Sequence, residues 1–276
     1  MGEKHTIDAT LEAGAPPATV ASLAAELHSL GLPRGATVLV HSAMSRLGYV
    51  IGGPQALIEA LLEALGPEGT LVMPTFSGDR GDPAPWQHPP VPEAWWPLFR
   101  EHMPAFEPGR TPTRGLGVVP EAFRAWPGAV RSSHPSCSFA AVGPQAAAIT
   151  ADHALAFGMG EQSPLARLYD LDAWVLLLGV SHANDSSLHL SEIRAEGIKL
   201  DPIEGGAPVL VDGVRQWVRY EDVDGDSDDF EALGEAFAAE TDAETVGRVG
   251  LATARLFRQR AVVDFGVGWL EAHRKA

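Results

Sequence analysis

The chain of 276 residues is 45% hydrophobic and 20% charged, with a formal net charge of −16 at pH 7. That is the composition of a globular protein with ample core. Nucleic acid finds no basic footprint on it, whereas an acidic cleft suits a cationic small molecule. No apolar run reaches the roughly 18 residues of a membrane helix, and the N-terminal MGEKHTIDATLEAG holds no signal-like stretch. The single Cys137 has no internal disulfide partner, so a cytoplasmic protein away from membranes is expected. Nothing in the sequence by itself specifies an oligomeric state.

Residues 16–32, PPATVASLAAELHSLGL, read as a helix with proline near its first turn and Gly31 past its end. ATVLVH (36–41) is a β-branched strand, PQALIEALLEALG (54–66) an amphipathic helix and GTLVMPTF (69–76) the next strand. This βαβ unit predicts a partly parallel sheet. From about 77 to 113 the pattern breaks into a proline-rich stretch carrying Trp86, Trp95 and Trp96; so much aromatic surface predicts an ordered lid rather than a linker. Helix resumes at 117–126, followed by a strand at 137–143, a helix at 144–155 and the apolar strand AWVLLLGV at 173–180.

The next segment, HANDSSLHLSEIRAEG (182–197), predicts a helix that is short of apolar partners. Asp185, Ser186, His189, Glu192 and Glu196 follow one another there at helical steps and share one face. APVLVDGVRQWVRY (207–220) reads as a hairpin turning at Asp212-Gly213. EDVDGDSDDF is an acidic, solvated loop. Residues 230–240 and 261–276 read as helices, with a single strand over 245–257 between them. No repeat, low-complexity tract or composition break divides the chain, so one α/β domain over 1–276 is expected.

Within HSAMSRLGYVIGGPQAL the strand ends at His41, and Gly52-Gly53 precede Pro54 at the start of a helix. Free N–H groups at such a helix start attract anions, glycine permits close approach, and Ser42 and Ser45 add hydroxyls. The spacing is neither a P-loop nor GxGxxG, and a plain strand-to-helix connection is the alternative reading.

The stretch HSAMSRLGYVIGGPQALIEALLEALGPEGTLVMPTFS closely resembles the opening motif of the aminoglycoside 3-N-acetyltransferase (antibiotic N-acetyltransferase) family. RSSHPSCSFAAVG and GEQSPLARLYDLDAWVLLLGV resemble its central motifs, and NDSSLHLSE its active-site segment. The resemblance runs in order from about residue 20 to the end. It implies a three-layer α/β/α fold around a mixed sheet and the use of acetyl-coenzyme A as co-substrate without a metal. By the same resemblance Ser42, Ala43, Ser45, Tyr49, Val50 and Ile51 meet coenzyme A, and Thr75, Phe76, Leu116 and Gly117 line its pantetheine and phosphate path. The implied acceptor is an amine of a polycationic aminoglycoside, at the 3-amino position; a different amine is the alternative. SAMSRLG stands where Ser-Leu-Ser-Ser-like strings are usual in the family, and Ser186 where threonine is common.

Acetyl transfer to an amine requires a positioned base. His189 is suited to this, Glu192 one turn on can orient its second ring nitrogen, and Ser186 one turn before can donate to the oxyanion or thiolate. Asp185 reads as a helix cap or a contact to a cationic substrate. Asp79 and Glu196 read as ammonium ligands or surface charges. His134, before a proline, reads as structural, and Cys137 as inert, so direct transfer is expected. Two rivals remain: a non-catalytic binder of cations, and a metallohydrolase built on His182, His189 and Glu192, which lacks a well-spaced third ligand.

Overall fold

The computed structural model describes residues 3–275. Its strands are β1 (Thr37–Ser42), β2 (Thr70–Pro74), β3 (Val130–Arg131), β4 (Phe139–Val142), β5 (Trp174–Leu178), β6 (Pro202–Val211), β7 (Val214–Val223), β8 (Thr245–Val249) and β9 (Ala252–Arg258). Its helices are α1 (Glu3–Glu12), α2 (Val20–Leu30), α3 (Gly53–Leu65), α4 (Trp96–His102), α5 (Val118–Arg124), α6 (Ala146–Thr150), α7 (Pro164–Asp170), α8 (Ser187–Arg194), α9 (Phe230–Glu240) and α10 (Gln259–His273). None of the described helices is long and apolar enough to cross a membrane.

Seven strands form one mixed sheet in the order β3–β4–β2–β1–β5–β9–β8, and β6 pairs with β7 apart from it. β1 runs parallel to β2 and β5, while the outer pairings are antiparallel. The period-2 alternation of strands sorts the core into two layers. Val38 and Val40 of β1 pack with Leu23 and Leu27 of α2 and Leu57 and Leu61 of α3. Leu39 between them turns to the other face, with Leu165 of α7, Leu188 of α8, Phe237 of α9 and Val263 of α10. The chain is therefore an α/β/α sandwich around a mixed, partly parallel sheet.

Several elements differ from the sequence expectations. α2 begins at Val20 rather than at the prolines, because Thr19 and Ser22 form a reciprocal capping box that defines its start. Residues 245–257 are two strands, not one, reversing at Gly250 with φ +57. The helix expected at 144–155 is helical only over Ala146–Thr150. Residues 182–197 break into a 3-10 turn at His182–Asn184, an extended Asp185 (φ −79, ψ 100) and then α8, so only His189 and Glu192 of the five residues lie within the α-helix. The segment 77–113 contains α4 and two further single turns. Buried Arg131 holds it down, donating to the carbonyls of Pro108 and Thr111 and to Ser77 Oγ.

The parallel strands β1, β2 and β5 all discharge at one end of the sheet, and the loops that follow them converge there. Such carboxyl-end crevices are where open α/β sheets bind ligands.

Candidate active site between two cavities

A cavity of about 1040 Å³ opens at this end. A second, of about 350 Å³, lies against it, and His189 lines both. Local folding explains that placement. Asp185 Oδ1 accepts the Ser187 N–H at 2.9 Å, which starts α8 immediately after the β5 loop. His189 follows within the first turn and Glu192 one turn later.

The His189 Nδ1–H donates to Glu192 Oε2 at 2.6 Å, since an ionised carboxylate only accepts. Glu192 is 1% exposed. Its other oxygen, Oε1, accepts from Arg274 Nη1 at 2.5 Å and from the Asp226 N–H at 3.0 Å. Arg274 also binds Asp229; these carboxylate bonds raise its pKa further above the arginine range. The buried carboxylate is thus fully partnered, which is the condition for keeping a charge inside a protein. The imidazole is left with Nδ1–H on Glu192 and Nε2 as its acceptor nitrogen. Ser186 occupies the cap position, but no capping bond from its side chain is made, and it lines the larger cavity.

Ser42, Ala43, Ser45, Tyr49, Val50, Phe76, Leu116 and Gly117 all line the larger cavity, with Gly52, Gly53 and Pro54 at the start of α3. Gly52 and Gly53 have φ of +91 and +60; the Gly53 N–H donates to the Val50 carbonyl at 3.0 Å and Pro54 has none, so the first free amide of the helix itself is that of Gln55. None of the described residues lining this cavity is lysine or arginine. Any anionic group there has hydroxyls and the few free backbone N–H groups to meet, not a cationic side chain.

The other expected ligands have different surroundings. Thr75 is fully buried, donating to the Ser138 carbonyl at 3.1 Å and accepting from Arg131 Nε at 3.1 Å, so it supports the site from behind. Ile51 is 55% exposed outside the cavity. Asp79 faces Arg114 and Arg80 in a separate cavity of about 820 Å³ within segment 77–113. Glu196 is exposed beyond α8, beside Glu271, and lines none of the three cavities. Asp185 does line the larger cavity, yet it is 1% exposed and serves as a cap, between His41 Nε2 and His182 Nδ1, each 4.0 Å away.

His41, at the end of β1, is a cavity wall that sequence reasoning passed over; its burial lowers its pKa to about 4, against the pull of Asp185. Arg274 was missed as well, because it is 82 residues from the carboxylate it holds. His182 turns its Nε2 to Glu244 at 2.8 Å instead of joining His189, and no group of three or more metal-ligating side chains occurs among the described residues. His134 accepts the Ser136 and Cys137 amides at Nδ1 and bonds the Leu155 carbonyl through Nε2, all at 3.1 Å. Burial lowers its pKa to about 4 and pushes the neighbouring Cys137 thiol well up, which disfavours a thiolate.

Residues 39–271 match the family described as aminoglycoside 3-N-acetyltransferase. The chain belongs to that family. The aminoglycoside N(3')-acetyltransferase-like protein YokD, derived from the SPbeta prophage of Bacillus subtilis strain 168, is 44% identical over 254 residues, 92% of either chain. Its crystal structure superposes with a TM-score of 0.93 at 42% identity over 98% of both chains. The binary complex of AAC-IIIb with CoASH superposes with a TM-score of 0.82 at 35% identity, covering 95% of this chain and 99% of that one. AAC-VIa bound to sisomicin gives 0.85 at 30% identity over 95% and 100%.

Proposed function

We propose that the protein is an acetyl-coenzyme A-dependent N-acetyltransferase acting on an aminoglycoside amine, by direct transfer within a ternary complex. The observation that carries this is His189, held through Nδ1 by buried Glu192 at the boundary of two cavities. The larger takes the donor: the open start of α3 and the hydroxyls of Ser42 and Ser45 receive phosphate oxygens, and the apolar walls receive the pantetheine arm. The family and the CoASH complex of AAC-IIIb support acetyl-coenzyme A as the donor. The smaller cavity, which His189 also lines, takes the acceptor; that AAC-VIa is found bound to sisomicin supports an aminoglycoside as that acceptor.

An ammonium is not a nucleophile, so the reacting amine enters neutral, having lost one proton to solvent. Its nitrogen attacks the thioester carbonyl, forming the C–N bond, and His189 Nε2 takes the second proton. Glu192 stabilises the imidazolium so formed. Ser186 Oγ–H, which faces the same cavity as His189, meets the oxyanion. Collapse breaks the C–S bond, and the Nε2 proton passes to the departing thiolate, giving the amide and coenzyme A thiol. Cys137, neutral and engaged with His134, takes no part. Base assistance of this kind contributes about 10²–10⁴ in rate.

The test is thiol release from acetyl-coenzyme A with sisomicin, for the wild type and for His189→Gln. Loss of turnover by about 10² or more in the variant, with coenzyme A affinity retained, is the expected result. Near-normal turnover in the variant refutes the base assignment.

A further inference from the structure

The carboxylates around the smaller cavity are not equivalent. Asp82 gives both oxygens to Arg100, at 2.8 and 2.9 Å. Glu204 is paired across the hairpin with Arg219. Glu192 is committed to Arg274, the Asp226 amide and His189. Farther out, Asp79 faces two arginines. Of the four carboxylates that line this cavity, three thus meet a cation of the chain's own: Asp82, Glu192 and Glu204.

Asp222 is the exception. It stands near the end of β7, in the wall of the cavity that His189 also lines. The Val223 amide donates to its carboxylate at 3.0 Å, and the Gly158 amide lies close by. No arginine or lysine of the described residues pairs with it. Burial raises its carboxyl above the usual aspartate range despite those amides and a nearby His189. A partly desolvated carboxylate without a counter-ion gains most from a cation that arrives with the ligand.

We infer that Asp222 is the carboxylate that docks a substrate ammonium, so that this chain recognises its acceptor through a single ammonium beside the reacting amine and not through the many charges of a polycation. This rests on the acetyl-transfer reading above. With the ammonium on Asp222, the neighbouring amine of a 1,3-diamine ring is presented to His189 Nε2. The outer charges of a larger aminoglycoside find Asp82 and Glu204 already paired. Arg219 and Glu204 are both more than half exposed, so Arg219 can be replaced without disturbing the core, and its removal frees Glu204.

The experiment compares wild type, Asp222→Asn and Arg219→Gln with 2-deoxystreptamine and with sisomicin, measuring KM and kcat for each and calorimetric affinity for coenzyme A. Asp222→Asn is expected to raise KM for both acceptors by about tenfold or more, with kcat far less affected. Its affinity for coenzyme A stays at the wild-type value, which also reports an intact fold, and Asp222→Glu recovers part of the loss. Arg219→Gln lowers KM for sisomicin several-fold and leaves 2-deoxystreptamine unchanged. An unchanged KM for both acceptors in Asp222→Asn overturns the inference, as does an unmoved sisomicin KM in Arg219→Gln. Wild-type silence with both acceptors, while coenzyme A binds, overturns the acetyl-transfer reading itself and the inference with it.

Discussion

Replacing Glu192 by glutamine changes one charged oxygen into an amide nitrogen, and the surrounding donors decide which one. Two N–H donors, from Arg274 and Asp226, converge on Oε1, whereas only His189 Nδ1 meets Oε2. The glutamine carbonyl therefore stays on the Arg274 side, and its NH₂ is turned onto His189. An NH₂ cannot accept from Nδ1–H, so the imidazole must present a bare Nδ1 and move its hydrogen to Nε2. The nitrogen that should receive the amine's proton is then already occupied. In serine proteases the corresponding change of carboxylate to amide costs about 10⁴ in turnover through the same reversal. Here a fall of kcat by about 10³–10⁴ is expected. Stability changes little by comparison: Arg274 keeps Asp229, and the loss of one charged acceptor is worth about 1–3 kcal/mol. The assay is thiol release at saturating substrates, with ¹⁵N NMR of the His189 ring to read the tautomer and thermal unfolding as the control. Turnover within a few-fold of wild type, with Nδ1 still protonated, refutes the reasoning.

Arg131→Met removes a buried cation that donates to Thr75, Ser77, Ser138, Pro108 and Thr111 and has no carboxylate partner. The orphaned carbonyls should lower stability by about 3–5 kcal/mol and make residues 77–113 the first site of limited proteolysis; an unchanged urea midpoint and cleavage pattern refute this. His41, His134 and His153 are buried and shifted down to about 4, 4 and 3 from 6.5. Because the unfolded chain binds these protons first, stability holds above pH 6.5 and falls as pH drops toward 4. The loss approaches roughly 3 kcal/mol each for His41 and His134. A melting temperature that stays flat from pH 7 to 5 counts against it.

How much of this was legible in advance differs from element to element. The α3 helix and strands β1, β2 and β5 were readable because a single amphipathic or apolar period governs each of them. The β8–β9 hairpin was not, since its reversal rests on one glycine within a continuous apolar pattern. The pair His189 and Glu192 was readable because both lie in one helix, where sequence spacing is spatial spacing. The acceptor side was not. Asp79, Asp185 and Glu196 were plausible as isolated carboxylates, yet one lies in another cavity, one is a buried cap and one is on the outer surface.

What the sequence by itself determined is therefore local: the periodicities of most elements, the open glycine start of α3, the histidine–glutamate step and, through its ordered motifs, the family. What only the tertiary structure decided is which charges meet. Arg274 reaches Glu192, Arg131 pins segment 77–113, and Arg100 and Arg219 neutralise Asp82 and Glu204 while Asp222 remains without a cation. Periodicity is a property of neighbours along the chain. The pairing and desolvation of a charge depend on groups brought together across it, and no spacing rule encodes those.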